Sequence, residues 1–199
     1  MRDFCLQMLR HCKTKLKKHY YMHDNQNELL PLVTPDGKVT GCATRGECHG
    51  PQRPLHPVVH LHVFNSEGKL YLQLRPLWKD IQPGKWDTAV GGHIDYGEET
   101  RDALLRETGE ELGIEDFTPE FLTRYVFECP RERELVNVFA TVYDGKITPS
   151  KETEGGRFFS PQELSGLIGT GKLTPNFESE YKRLCEAGML SKYTSKSGE

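Results

Sequence analysis

The chain has no long apolar run. No stretch of its 199 residues approaches the roughly 18 apolar positions that a membrane-spanning helix requires, which excludes an integral helical membrane protein. It has almost no charge imbalance. Lys and Arg total 26 against 29 Asp and Glu, a formal net charge of -3, so bulk electrostatics give no attraction to nucleic acid. Paired cysteines are missing too. Cys5, Cys12, Cys42, Cys48, Cys129 and Cys185 stand apart without a C-x-x-C pair, and no secretory signal precedes them. Reduced thiols in a cytoplasm are the expected state. No internal repeat and no second core pattern are visible. A hydrophobic fraction of 36% and a mean hydropathy of -0.63 describe an ordinary soluble chain. Its length suits one α/β domain with added elements.

Residues 1–28 read as a basic leader. Arg2, Arg10, Lys13, Lys15, Lys17 and Lys18 face only Asp3 within residues 1–22. The FCLQML core is too short for a signal peptide, and its charges follow rather than precede it. A flexible tail is expected, with a short basic amphipathic helix as the alternative and Met22 as an alternative start. Residues 29–190 carry globular patterning, and residues 191–199 read as a frayed tail. Pro35-Asp36-Gly37 between short strand-like pieces signals a hairpin. From Pro57 to Phe64, Val58, His60, His62 and Phe64 alternate with Val59, Leu61 and Val63, and Lys69–Arg75 is a second strand of this kind. Phe117–Phe127 and Glu134–Tyr143 read as paired strands. Helices are expected at Ser160–Ile168, with a capping signature of Ser160, Pro161 and Glu163, and at Pro175–Gly188. Together these elements predict an α/β fold with a mixed sheet sandwiched between helices.

The densest chemistry lies between Gly92 and Ile114, in GHIDYGEETRDALLRETGEELGI. Glu99–Leu112 reads as a helix with an apolar stripe of Ala103, Leu104, Leu105, Thr108 and Leu112, stopped by Gly113. Glu107, Glu110 and Glu111 share one face of it. Alone, such a face is ordinarily a solvated one. Three carboxylates so close repel one another, however, and a hard cation such as Mg²⁺ (or Mn²⁺) would relieve that repulsion. A cation there would draw charge from an anionic diphosphate and lower the pKa of a bound water. Arg106 is placed to orient the glutamates through charge-assisted hydrogen bonds, with Glu98 as partner; a purely structural salt bridge that holds loop to helix is the compatible alternative.

Gly92, Glu98 and the run Arg106-Glu107-Thr108-Gly109-Glu110-Glu111-Leu112-Gly113-Ile114 resemble the signature of the Nudix superfamily of diphosphate-cleaving enzymes. Thr108 departs from the pattern, standing where the family usually has an aliphatic residue. The resemblance covers roughly Leu30 to Leu190 and implies the Nudix fold. It also implies an acid anhydride hydrolase, with Glu107 and Glu111 as direct metal ligands, Glu110 as a ligand or the water-activating base, and the carbonyl near Gly92 completing the shell.

The flanks LHPVVHLHVFN, LQLRPLWKDIQPGKW and VGGH are similar to the branch that contains type 1 isopentenyl-diphosphate isomerases. That likeness implies a second divalent-metal site of three histidines and two glutamates, which fall on His49, His56, His93, Glu132 and Glu134. Such donors suit Zn²⁺ or Mn²⁺. The alternative is a cluster that orders loops by hydrogen bonds. Arg45, Arg75, Lys79 and Lys85 are candidates to meet substrate phosphates, with surface solvation as the alternative. His60 and His62 are expected to be satisfied strand residues. Two features depart from the isomerases: Gly91 stands where they need a cysteine, and the hydrolase glutamates are all present. The expectation is a hydrolase on an isomerase-like frame, acting on a small-molecule diphosphate, with a homodimer compatible and neither membrane nor nucleic acid as partner. The rivals are an isomerase and a nucleotide-binding module without catalysis.

Overall fold

The computed structural model describes residues 25–79, 81–151 and 153–194. Residues 1–24, with most of the basic leader, Cys5, Cys12 and Met22, lie outside the described residues. β1 (Leu29–Val33) and β2 (Val39–Thr44) pair antiparallel in a two-stranded sheet. Their turn runs through Pro35-Asp36-Gly37, where Gly37 adopts φ 88°. α1 (Arg45–Cys48) follows, a single turn whose Thr44 and Glu47 close a capping box.

The main sheet is built on β3 (His56–Phe64), every residue of which is buried. β4 (Leu70–Leu74), β5 (Trp86–Asp87), β7 (Glu120–Glu128) and β8 (Arg133–Val142) complete the order β5-β4-β3-β8-β7. β6 (Val90–His93) pairs with β3, and β9 (Gly156–Phe159) with β4. β3 and β8 run parallel and the other pairs antiparallel, so the sheet is mixed.

Strand alternation sends β3 side chains to opposite faces. Val59, Leu61 and Val63 pack with Ala103, Leu104 and Leu112 of α2 (Thr100–Leu112). Val58 and Phe64 pack on the other face with Leu164 of α3 (Pro161–Leu167) and Phe177, Tyr181 and Leu184 of α4 (Pro175–Glu186). The sheet is thus sandwiched between helices, as its pattern predicts. Among the described residues no helix is long and apolar enough to cross a membrane.

Three local expectations need correction. Leu105, assigned to the apolar stripe of α2, is 36% exposed, because the stripe is narrower than its sequence suggests. Thr108 is fully buried there, its hydroxyl donating to the Leu104 carbonyl at 2.6 Å. Ser191–Thr194 is not frayed. It forms a short helix, α5, whose Tyr193 stacks on Phe64 at 5.0 Å and donates to Glu120. β9 and α1 were not anticipated, since each has only four residues and shows no periodicity.

Gly113 ends α2 in the left-handed conformation, φ 64°, with its N–H donating to the Gly109 carbonyl at 3.0 Å. A Cβ there would also stand 3.3 Å from Thr148 Cβ. Gly113→Ala is therefore expected to cost about 1–2 kcal/mol. Urea unfolding measures this, and an unchanged midpoint would mean that the cap is not under conformational demand.

Candidate active site and metal centre

A cleft of about 2130 Å³ wraps around the edge of β6 that faces away from β3. Gly91 stands opposite His60 in the β3–β6 ladder, and Gly92 opposite Val59. The two glycines therefore turn to opposite faces of the sheet.

On the α2 face, a Cβ at Gly92 would fall inside the Glu107 side chain. Only glycine lets that carboxylate lie against the strand. Arg106 holds the acidic face together. Its Nε and Nη2 form a fork on Glu98 at 2.9 and 2.8 Å, and Nη1 donates to Glu107 at 2.8 Å and to Glu110 at 3.4 Å. Nη2 also donates to the His93 carbonyl at 3.1 Å, tying helix to strand. Glu98 accepts from the Asp95 N–H at 3.0 Å, and Arg106 holds its carboxyl below the usual range. Glu111 accepts from Gln73 Nε2 at 3.2 Å and from the Gly91 N–H at 3.4 Å. Burial pushes Glu107 up to about 7 in spite of Arg106. A group so disposed binds a proton or a cation readily.

On the opposite face, His49, His56, His93 and Glu134 each offer a ligand atom, all within 4.8 Å of one another. They come from four segments. His49 caps α1, His56 opens β3, His93 closes β6, and Glu134 sits beside His56 in the parallel register. His56 Nδ1 faces the Pro54 carbonyl at 3.0 Å, which leaves Nε2 buried and without a hydrogen-bond partner. That orphaned lone pair, aimed into three further donors, fits a metal ligand. Burial, aided by Arg45, lowers the pKa of His56, and it lowers that of His93 far more. Neutral imidazole is the ligating form. Burial, then Glu132, raises Glu134 to about 8. Glu132 lines the cleft but stands outside the four-residue group, 3.9 Å from Cys129 Sγ.

Arg45, Arg75 and Lys79 line the cleft. Arg45 donates to Glu28 at 3.1 Å and lies 3.2 Å from His93 Nδ1. Arg75 donates to Asp87 and to the Ile81 carbonyl, so it braces the loop after β4. Lys79 lies over the Trp78 ring. Lys85 does not join them: it is absent from the cleft lining, and its backbone carbonyl accepts from the Arg75 N–H. Sequence reasoning missed Gln73, Lys151 and Glu180. Gln73 could have been found as a lone amide in an apolar strand. Glu180 could have been found as a charge within the Phe177, Tyr181, Leu184 stripe of α4.

Glu180 is fully buried. It accepts from His60 Nδ1 at 3.0 Å, His62 Nε2 at 2.7 Å and the Tyr125 hydroxyl at 2.7 Å. Burial opposes a charge on His60, but Glu180 outweighs it and raises that imidazole to about 9. Burial likewise opposes the Glu180 charge, and His60 and His62 still hold its carboxyl below the usual range.

A mixed sheet between helices, with a carboxylate helix laid across a glycine pair, places the protein among α/β folds that present clustered acids to an open cleft. Residues 54–181 match the family model of the NUDIX domain. An uncharacterized Nudix hydrolase of Streptomyces coelicolor is 32% identical over 165 residues, covering 79% of this chain and 88% of that protein. An isopentenyl-diphosphate Delta-isomerase of Saccharopolyspora erythraea is 31% identical over 172 residues, covering 81% and 88%. A crystal structure of a Deinococcus radiodurans protein shares the fold, with a TM-score of 0.67 at 24% identity over 78% of this chain and 98% of that one. The chain belongs to the Nudix family.

Two expectations follow from the geometry. Gly92→Ala displaces Glu107 and is expected to weaken Mn²⁺ binding about 10-fold or more, read by electron paramagnetic resonance with the far-ultraviolet dichroism unchanged. Equal affinity would mean that Glu107 takes no part in binding. The His60 pKa lies above its ordinary 6.5, so its contribution to stability is complete below about pH 6.5 and is lost as pH rises through 9. The loss is on the order of 3 kcal/mol. Urea unfolding across this range should show a steeper decline in the wild type than in His60→Gln, where only the ionisation of groups such as Glu107 and Glu134 remains.

Proposed function

We propose that the chain is a divalent-cation-dependent hydrolase of the diphosphate linkage in a nucleoside diphosphate joined to another group, or in another organic diphosphate. The observation that carries this reading is the seating of Glu107 against Gly92 and of Glu111 on the Gly91 N–H, with one guanidinium holding Glu107 and reaching Glu110. Glu107, Glu111 and the Gly92 carbonyl would hold Mg²⁺ or Mn²⁺. A cation bound there offsets the charge of the diphosphate and makes a bound water more acidic. Glu110, with 62% of its side chain exposed and only a long contact to Arg106, is free to act as a further ligand or to take a proton from the attacking water. Glu98 keeps Arg106 in place, and Arg106 holds Glu107 in toward the strand. Arg45 and Lys79 supply positive charge at the cleft for phosphate oxygens, and Lys151 adds a further cation to its lining.

A second reading, an isopentenyl-diphosphate isomerase-like enzyme, draws support from the His49, His56, His93 and Glu134 cluster and from the isomerases among the relatives. Those four residues fit Zn²⁺ or Mn²⁺, with Glu132 as a fifth donor. Gly91 weighs against isomerisation, since it has no side chain to exchange a proton with carbon. A binding module without catalysis is disfavoured by the full set of glutamates.

Release of phosphate-containing products from a panel of nucleotide and prenyl diphosphates with Mg²⁺, alongside NMR of isopentenyl diphosphate, separates these readings. Cleavage is expected. Glu110→Gln or Glu111→Gln should reduce it about 100-fold or more while leaving the melting profile intact. Full activity in both would sink the mechanism, and double-bond migration without cleavage would establish the isomerase. Glu134→Gln is expected to lower the transition-metal content of the purified protein by elemental analysis. Unchanged content would reduce the histidine cluster to a structural role.

A further inference from the structure

Among the described residues, His60 is the one imidazole of the cleft lining that stands apart from the cluster of His49, His56, His93 and Glu134. Only 7% of its surface is exposed, and that surface reaches the cleft. Its orientation is fixed from behind: Nδ1 meets Glu180, which Tyr125 and His62 hold in turn. The opposite edge of the ring faces Gly91. A Cβ built on Gly91 would lie 3.7 Å from His60 Cδ2 and 3.8 Å from Nε2, and 3.6 Å from Thr88 Cγ2. These are ordinary contacts and φ is not positive, so neither packing nor backbone demands glycine at 91. What glycine leaves there is open approach to Nε2 from the cleft.

We propose that His60 is a substrate-contacting, specificity-determining residue, positioned by Glu180, whose Nε2–H donates across Gly91 to an oxygen of the group attached to the diphosphate. The proposal rests on the diphosphate reading above and deepens it. Asp87, Glu132 and Glu134 crowd the same cleft with carboxyl oxygens, beside which a group able to donate as well as accept fits better than an anion. The oxygen is therefore neutral, a hydroxyl. Asn176, whose side-chain amide lies 3.0 Å from the Tyr125 hydroxyl, and Thr174, which donates to Asp87 at 2.7 Å, extend the polar lining beside it. A hydroxylated substituent is matched by these groups. An all-carbon prenyl chain leaves them unpaired, and such mismatches are strongly discriminated.

The full chain carrying Glu111→Gln, which slows turnover, is titrated calorimetrically with ADP-ribose and with isopentenyl diphosphate, Mg²⁺ present. ADP-ribose is expected to bind the more tightly. Adding His60→Leu should weaken ADP-ribose at least tenfold while leaving isopentenyl diphosphate within about twofold, and Gly91→Ala should act in the same direction. Glu180→Gln should follow His60→Leu, with partial recovery in Glu180→Asp. Should the Glu180 variants fail to fold, the His60 and Gly91 variants decide alone. Equal losses for both ligands, or no loss, would overturn the proposal, as would the absence of binding by either ligand. Binding with the predicted pattern but without cleavage by the parent chain would overturn the hydrolase reading and leave the His60 contact standing.

Discussion

Like charges on one helix face are the constraint around which the site is organised. Glu107, Glu110 and Glu111 fall within little more than one turn of α2, and in water such a face would splay its side chains outward. Arg106 draws Glu107 inward and Gln73 holds Glu111, while Glu110 stays largely exposed. One guanidinium binds the acid of the preceding loop, two acids of the helix and a carbonyl of the strand beneath, so loop, helix and sheet edge become a single rigid unit. Lysine could not substitute, because a point charge lacks the planar fork that reaches four partners at once. Burial of Glu107 then keeps part of the acidic charge poorly solvated and ready for a cation.

The second organising feature is the short β6 strand at the edge of the sheet. Its two glycines open opposite faces, one to the acids of α2 and one to the imidazoles and the polar floor under α4. A cleft that turns around a strand edge can bring chemistry from both faces to one ligand. This explains how hydrolase glutamates and an isomerase-like histidine cluster coexist without crowding each other.

Much of this was legible in the sequence. Fixed spacing on a helix announces Glu107, Glu110 and Glu111, because three- and four-residue steps dictate a shared face whatever the fold. The alternation of β3 announced which residues face which layer. What the sequence could not show was depth. Leu105 belongs to the apolar stripe by spacing yet lies on its exposed margin, and Glu180 falls within the stripe of α4 but finds its partners only once the helix is set over His60 and His62. Lys85, too, has the right residue type and neighbourhood but does not line the cleft. Long-range partners of this kind depend on how layers dock, which no local pattern encodes.

The parallel register of β3 on β8 sets His56 beside Glu134, while His49 arrives from the small hairpin sheet and His93 from the strand edge. These donors span residues 49 to 134, so loops of tens of residues must close before the fourth arrives. A partly folded chain cannot assemble them, and a one-residue slip of register would turn His56 and Glu134 to opposite layers. An ion seated there would act as a rivet between two separate sheets, so its affinity would gauge how completely the molecule has closed.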